Sequence, residues 1–296
     1  QSQFDSYHTK LLRNNKRVEE KEYLTDALSR EAVGYIEKYQ NQPFFIYLAY
    51  NAPHTPLQAS PKYLDRFTHI KDSSRRTYAA MVSAVDDGVG KILDRLGELG
   101  IEENTLIFFL SDNGGPERKN ASDNGVLRGG KSDVFEGGIR VPFAIKWPQK
   151  LEAGQVFEEA VISLDIYATV LGQLQQAAIT PQNPLDGVDL MPYLNRDKEK
   201  APHDFLFWRK FDKNNYAARD QHGQKIISWK DKLTLYNLKE NVREKKAWAI
   251  DDSSYKVHLD EAYHSWEAQV LDPIFLGLRS DKIYSEQPPN RFTRPE

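Results

Sequence analysis

Thr105-Leu106-Ile107-Phe108-Phe109-Leu110-Ser111-Asp112-Asn113-Gly114-Gly115 is the stretch that decides how this chain is read. Its first part, Thr105 to Leu110, is mostly apolar and predicts a buried strand. The run then breaks into Ser-Asp-Asn-Gly-Gly. In an open α/β sheet, ligands bind outside the carboxyl ends of strands. A carboxylate and a carboxamide at such an end are hard oxygen donors, suited to Ca²⁺ or Mg²⁺. The same residue types also dominate ordinary turns, so the strand end alone leaves both readings open.

Working outward, the flanks alternate between helical and strand patterns. Leu28, Ala32, Tyr35, Ile36 and Tyr39 recur at helical spacing, which predicts a helix over 25–39 with Thr25 as N-cap and Asn41-Gln42-Pro43 as the stop. Phe44 to Tyr50 reads as a second buried strand. A long helix is predicted over 74–99, closed by Gly100. Val141 to Trp147 reads as a strand, and Ser163 to about Leu174 as a helix capped by Ser163. This alternation implies an α/β fold with a mostly parallel sheet flanked by helices. Beyond Asn195 the pattern shortens to four strand-like runs, 205–208, 216–219, 225–229 and 233–238. A helical stretch follows over 255–270. These predict a small antiparallel sheet plus helix, and a division into units 1–196 and 197–296. Residues 1–20 read as a polar loop, and the tail after Arg279 as a surface strap.

Composition narrows the function classes. With 296 residues, 40% hydrophobic and 11% aromatic, the chain can bury a substantial core. A formal net charge of −3 argues against a dedicated nucleic-acid binder, while leaving room for a local basic pocket. The chain has no cysteine, which excludes disulfides, thiolate metal sites and a cysteine nucleophile within it. No apolar run reaches the ~18–20 residues that span a bilayer.

Two further loops carry chemistry. Asn51-Ala52-Pro53-His54-Thr55-Pro56 sets one histidine between two prolines, and a ring held so can bind an anion or protonate a leaving group. In Leu127-Arg128-Gly129-Gly130-Lys131-Ser132-Asp133-Val134-Phe135-Glu136-Gly137-Gly138-Ile139-Arg140 two Gly-Gly pairs flank Lys131 and the Glu136/Arg140 pair. Glycines let backbone N–H groups approach an anion, and the lysine supplies charge. Asp86-Asp87 sit inside a helix, where adjacent positions do not face one another. His8, His69, His203, His222, His258 and His264 show no ligand spacing. Trp208, Trp229, Trp248 and Trp266 read as core anchors of the small sheet. Trp208, beside His203 and Arg209, is the one with a second reading, as a substrate contact.

Together these loops resemble one family. Pro-Phe-Phe-Ile-Tyr-Leu-Ala-Tyr-Asn-Ala-Pro-His-Thr-Pro at 43–56, Ser-Asp-Asn-Gly-Gly at 111–115 and Leu-Arg-Gly-Gly-Lys-x4-Glu-Gly-Gly-Ile-Arg-Val-Pro at 127–142 are similar to the formylglycine-dependent sulfatases of the alkaline-phosphatase-like superfamily. Ser163-Leu164-Asp165-Ile166-Tyr167, Leu185-Asp186-Gly187-Val188 and the run 233–241 add to the likeness. The family's Asp-Asp metal pair, its Cys/Ser-x-Pro/Ala-x-Arg nucleophile motif and its Gly-Lys-x-x-His-type element have no counterpart here. The chain therefore resembles the C-terminal portion of a sulfatase and is expected to be inactive alone.

The resemblance implies roles for matching positions only. Asp112 and Asn113 would be metal ligands, for Ca²⁺ ahead of Mg²⁺. Lys131 would bind sulfate oxygens, and His54 would bind sulfate and protonate the leaving oxygen. Arg128, Glu136 and Arg140 would support the loop. Formylglycine would be supplied by the missing N-terminal part. The implied activity is sulfuric ester hydrolysis on a sulfated carbohydrate, in a bacterial protein that is periplasmic or secreted. The implied partners are the substrate and the missing N-terminal segment, with no nucleic acid and no membrane span. A phosphate or phosphonate ester hydrolase of the same superfamily, and a non-catalytic anion-binding chain, stand as alternatives.

Overall fold

The computed structural model describes residues 11–174, 184–248 and 253–273. It opens on a hairpin, β1 (Leu11–Arg13) against β2 (Lys16–Val18). Asn14 and Asn15 both take positive φ, 47° and 66°, the geometry of a two-residue primed turn that asparagine tolerates. The expected loop is thus partly a hairpin.

Helix α1 (Leu24–Tyr39) lies against α3 (Ser73–Glu98), with the short α2 (Pro61–Leu64) beside them. Ala27, Ala32 and Ile36 are buried on α1, and Ala80, Met81, Ala84 and Leu96 on α3. The helices meet closely at Gly88, where a Cβ would sit 2.3 Å from Ser29 Oγ. Thr25 is not the N-cap: Tyr23 holds that place, and Thr25 lies in the first turn with its carbonyl accepting from Ser29 Oγ. At α3, Asp72 caps the helix by accepting from Arg75 N at 2.7 Å. The other end closes as a Schellman motif, with Gly100 N on Gly97 O and Ile101 N on Leu96 O.

The extended run 44–50 keeps a strand-like alternation of half-buried and exposed residues. It has no ladder partner among the described residues, so Phe45 and Tyr47 stand 77% and 84% exposed. The buried strand expected there is therefore an extended segment. β3 (Ile107–Leu110) pairs antiparallel with β4 (Phe143–Lys146), and no parallel ladder occurs among the described residues. Two short helices, α4 (Glu117–Asn120) and α5 (Glu136–Ile139), lie in the long connection. Helix α6 (Leu164–Gln173) begins at Ser163, but the Ser163 side chain does not cap it. The Asp165 carboxylate accepts from Ile162 N instead, and also from Val188 N and His203 Nε2. α7 (Met191–Leu194) leads into the last unit.

That unit is a four-stranded antiparallel meander: β5 (Phe205–Lys210), β6 (Asn215–Asp220), β7 (Gln224–Trp229) and β8 (Lys232–Asn237). Helix α8 (Ser253–Glu267) covers one face, where Ala218, Ile226, Leu235, Leu259 and Tyr263 pack together. The opposite face holds Ala217, Ile227 and Tyr236. It packs against Val134 and Phe135 of the upstream loop, with Trp208 and Trp229 beside them. Trp248 and Trp266 join the α8 side, so the four tryptophans are core anchors. The tail after Arg279 lies outside the described residues. No helix among the described residues is long and apolar enough to cross a membrane.

Candidate functional site

The strand end at 111–115 and the loop 127–140 are stitched together by backbone. Gly114 N donates to Gly138 O at 3.0 Å, and Ser111 N to Pro142 O at 3.2 Å. The fit is so close that a Cβ on Gly114 would lie 1.7 Å from Gly137 O. Only glycine allows two main chains to approach this closely. Asn124 completes the seam: its amide donates to Gly115 O and Gly129 O at 2.9 and 3.1 Å, and its oxygen accepts from Gly115 N at 2.9 Å.

Lys131 sits in a tight turn within this knot. Asp133 N donates to Gly130 O at 2.8 Å, and the Asp133 carboxylate accepts from Gly130 N at 3.1 Å. Ser132, the third turn residue, has φ 73°, a conformation that a non-glycine side chain rarely adopts. Lys210 Nζ, at the end of β5, donates to Ser132 O at 2.8 Å. Lys131 is exposed, and its ammonium has no ion-pair partner among the described residues.

Asp112 is exposed and Asn113 half-buried. Ser111 Oγ donates to Asn113 O, and Asn113 Nδ2 donates to Gly114 O at 2.9 Å. The Asp112 carboxylate and the Asn113 amide oxygen thus have no partner among the described residues. Two unpaired hard oxygens fit part of a Ca²⁺ shell, which takes 6–8. Among the described residues no group of three or more His, Cys, Asp or Glu could hold an ion, so the two donors are an incomplete set. Asp86 and Asp87 add nothing to it; Asp87 is held by the Arg66 guanidinium at 2.7 and 2.8 Å.

His54 lies in the loop between two cis prolyl bonds, Ala52-Pro53 and Thr55-Pro56. Its Nδ1 is 2.6 Å from Thr55 O. A carbonyl only accepts, so Nδ1 carries the hydrogen and Nε2 is the nitrogen left for chemistry. No hydrogen bond or ion pair among the described residues joins His54 to Asp112, Asn113 or Lys131. The structure therefore brings the strand end and the Lys131 turn together, and leaves His54 unconnected to them.

Beneath the loop lies a buried ionic group that sequence reading missed. Lys225 on β7 is fully buried, with Nζ 2.8 Å from both Glu136 Oε1 and Glu244 Oε1. Glu244 also accepts from Glu136 N at 2.8 Å, and burial raises its carboxyl above the ordinary value despite Lys225. Arg140 reaches Glu136 at 3.9 Å. Arg128 donates to Glu244 O at 2.8 Å and lies over the Phe135 ring. The expected supporting roles of Arg128, Glu136 and Arg140 thus have physical counterparts. The one signal in the sequence was Lys225 itself, since it alternates with Ile227 and Trp229 on one strand face. Arg209 ion-pairs with Glu267 and Asp272, and Trp208 packs in the core beside it.

Comparison with known proteins gives this geometry a context. A sulfatase family model matches residues 2–176. A model of the N-sulphoglucosamine sulphohydrolase C-terminal region matches residues 130–264. An uncharacterized sulfatase, YdeN of Escherichia coli (strain K12), is 35% identical over 72% of this chain and 39% of its own length. The human N-acetylgalactosamine-6-sulfatase is 36% identical over 70% of this chain and 38% of its own. The crystal structure of Ps i-CgsB in complex with k-i-k-neocarrahexaose superposes with a TM-score of 0.85 at 34% identity, over 94% of this chain and 61% of that one. The chain thus spans about three to four tenths of the length of the curated relatives it matches. With the fold alkaline-phosphatase-like and the family model covering more than half of the residues, the chain belongs to the sulfatase family.

Proposed function

We propose that the protein these residues belong to is a sulfuric ester hydrolase acting on a sulfated carbohydrate. The observation that carries this reading is the backbone seam that ties the Asp112-Asn113 strand end to the Lys131 turn in a chain of this family. The Asp112 carboxylate, the Asn113 amide oxygen and the Lys131 ammonium are left without partners among the described residues, as groups kept for a ligand would be. The carbohydrate assignment is supported by relatives whose names specify N-acetylgalactosamine-6-sulfate chemistry or a bound neocarrahexaose.

Lys131 binds sulfate oxygens and stabilises the negative charge that grows on them in the transition state. His54, with Nδ1–H held by Thr55 O, presents Nε2 to the sulfate and, as the doubly protonated imidazolium, delivers the Nε2 proton to the leaving ester oxygen, leaving the neutral Nδ1–H ring. Asp112 and Asn113 would hold a hard cation, Ca²⁺ ahead of Mg²⁺, which supplies positive charge opposite the sulfate when bound. No residue of this chain fits formylglycine: there is no cysteine, and no serine is followed by Pro or Ala at the second position and Arg at the fourth. The nucleophile is accordingly assigned to residues outside these, and no step through it is derived. We read 1–196 as part of the catalytic α/β domain and 197–296 as a C-terminal subdomain, in a protein that is periplasmic or secreted.

The test is release of inorganic sulfate from a sulfated galactan oligosaccharide by the intact protein, followed by ion chromatography. Release that disappears in Lys131→Ala is expected. Faster release of phosphate from a phosphate or phosphonate ester would favour the sister activity, and no release from either would favour a chain that only binds anions.

A further inference from the structure

We propose that Lys225 is a positioning residue for Lys131: the C-terminal sheet, through the buried Glu136–Lys225–Glu244 group, sets the geometry of the catalytic-loop turn. The inference rests on the reading of Lys131 as the sulfate-binding lysine.

The turn Gly130–Asp133 is closed locally by Asp133 N on Gly130 O and Gly130 N on the Asp133 carboxylate, with Lys210 Nζ on Ser132 O, but these bonds shape the turn without anchoring the Lys131 side chain. Lys131 and Ser132 are exposed, and Ser132 is held at φ 73°. The residues C-terminal to the turn anchor it. Val134 and Phe135 insert into the sheet face that carries Ala217, Ile227 and Tyr236. Glu136 then enters the same face and meets Lys225 at 2.8 Å. From there Gly137 N returns to Arg128 O at 2.7 Å, and Arg140 N to Glu136 O at 2.8 Å. The second carboxylate, Glu244, takes Lys225 Nζ on one oxygen and Glu136 N on the other. Its carbonyl accepts from Arg128, at the start of the loop. Both ends of the segment bearing Lys131 are therefore tied to this group, Glu136 through the ammonium and the Glu244 carboxylate, and Arg128 through the Glu244 main-chain carbonyl.

Burying a lysine is costly, and apolar residues of similar volume often stabilise a core as well or better. The ionic group differs from an apolar patch in direction: it fixes where Glu136 stands, and with it the register of the turn five residues upstream. A displacement of about 1 Å at a catalytic group can cost on the order of 10²-fold in rate.

The experiment is a double-mutant cycle in the intact protein, with para-nitrophenyl sulfate as substrate and near-UV circular dichroism to score folding. Lys225→Met and Lys225→Arg are each made in the wild-type and in the Lys131→Arg background, which keeps a cation at the site and is assayed at enzyme concentrations high enough to read reduced turnover. Arginine keeps the charge, but its planar fork cannot occupy an ammonium site in the same way. The expected result is a fall in kcat of about 10²-fold for Lys225→Met and about tenfold for Lys225→Arg, with both costs shrinking to about threefold or less in the Lys131→Arg background. Equal costs in both backgrounds, or folded variants with wild-type kcat, would overturn the proposal. If Lys225→Met does not fold, Lys225→Arg alone decides by the same comparison. Lys131→Ala separates the two claims. Unchanged turnover in Lys131→Ala refutes the reading of Lys131, whereas lost turnover there with equal Lys225 costs in both backgrounds refutes only the positioning role.

Discussion

Asn124 and Gly115 form a reciprocal pair: Gly115 N donates to Asn124 Oδ1 at 2.9 Å, and Asn124 Nδ2 donates back to Gly115 O at 2.9 Å. The same amide reaches Gly129 O at 3.1 Å, so one side chain holds the donor-bearing strand end and the lysine loop in register. Asn124→Ala leaves three backbone groups short of a partner. A loss of about 1–3 kcal/mol is expected, read as a lower denaturation midpoint with an unchanged slope. Unaltered stability would show that water or the glycine seam suffices.

The buried ionic group carries two carboxylates on one ammonium, and its charge is unbalanced apart from Arg140 at 3.9 Å. Lys225→Met leaves both carboxylates facing each other and is expected to destabilise by about 3–5 kcal/mol.

Glu244→Gln acts in the other direction. Burial raises the Glu244 carboxyl from its ordinary value of 4.5, so the folded chain holds that proton more tightly than the unfolded chain does. The resulting contribution is fully present below the ordinary value and is lost as pH rises through the raised one. Glutamine escapes that loss. The variant should gain on the wild type as pH rises above the ordinary value of 4.5 in paired urea melts. A gap that widens against the variant over this range would contradict the assignment.

Tyr63 is completely buried and donates to Asp26 Oδ1 at 2.6 Å. Burial, then the Asp26 carboxylate, pushes its hydroxyl up to about 12. Lys62 lies 2.9 Å from the same carboxylate. Tyr63→Phe removes a charge-assisted bond under α1 and α3 and should cost about 1–3 kcal/mol. It lies away from the loop knot, so its cost should add to that of Asn124→Ala.

The two donors Asp112 and Asn113 are too few for tight cation binding. The 296-residue chain should bind Ca²⁺ weakly by calorimetry and should not turn over an aryl sulfate. Sub-micromolar affinity, or hydrolysis by the chain alone, would show that its ligand set is more complete than these two residues.

The sequence is most legible where local pattern and tertiary environment agree. The helical stripes of α1 and α3, the four short runs of the meander and the glycine-flanked lysine loop all appear at or near their expected positions. Caps are less legible: Thr25 reads as an N-cap but lies in the first turn behind Tyr23, and Ser163 holds the N-cap position of α6 without a capping hydrogen bond, the Asp165 carboxylate inside the helix taking Ile162 N, Val188 N and His203 instead. The 44–50 run reads as a strand because its alternation is real, yet a strand also needs a neighbour, which no single segment reveals. Lys225 and Glu244 escape a sequence reading for the same reason. They lie 89 and 108 residues from Glu136, and a buried charge is recognisable only once its partners are in place. Asp112, Asn113, Lys131 and His54 are legible as residue types in loops. The seam that joins the Asp112-Asn113 end to the Lys131 loop is not, because it is made of backbone closed by one side chain, Asn124, whose partners appear only in the fold.

The central claim is that the Asp112-Asn113 strand end and the Lys131 turn serve a sulfate ester. Its most direct test is kcat/KM of the intact protein for para-nitrophenyl sulfate against para-nitrophenyl phosphate under identical conditions. The account predicts sulfate preferred by at least about tenfold, with the sulfate activity lost in Lys131→Ala. A preference for phosphate, or sulfate turnover that survives Lys131→Ala, would contradict it.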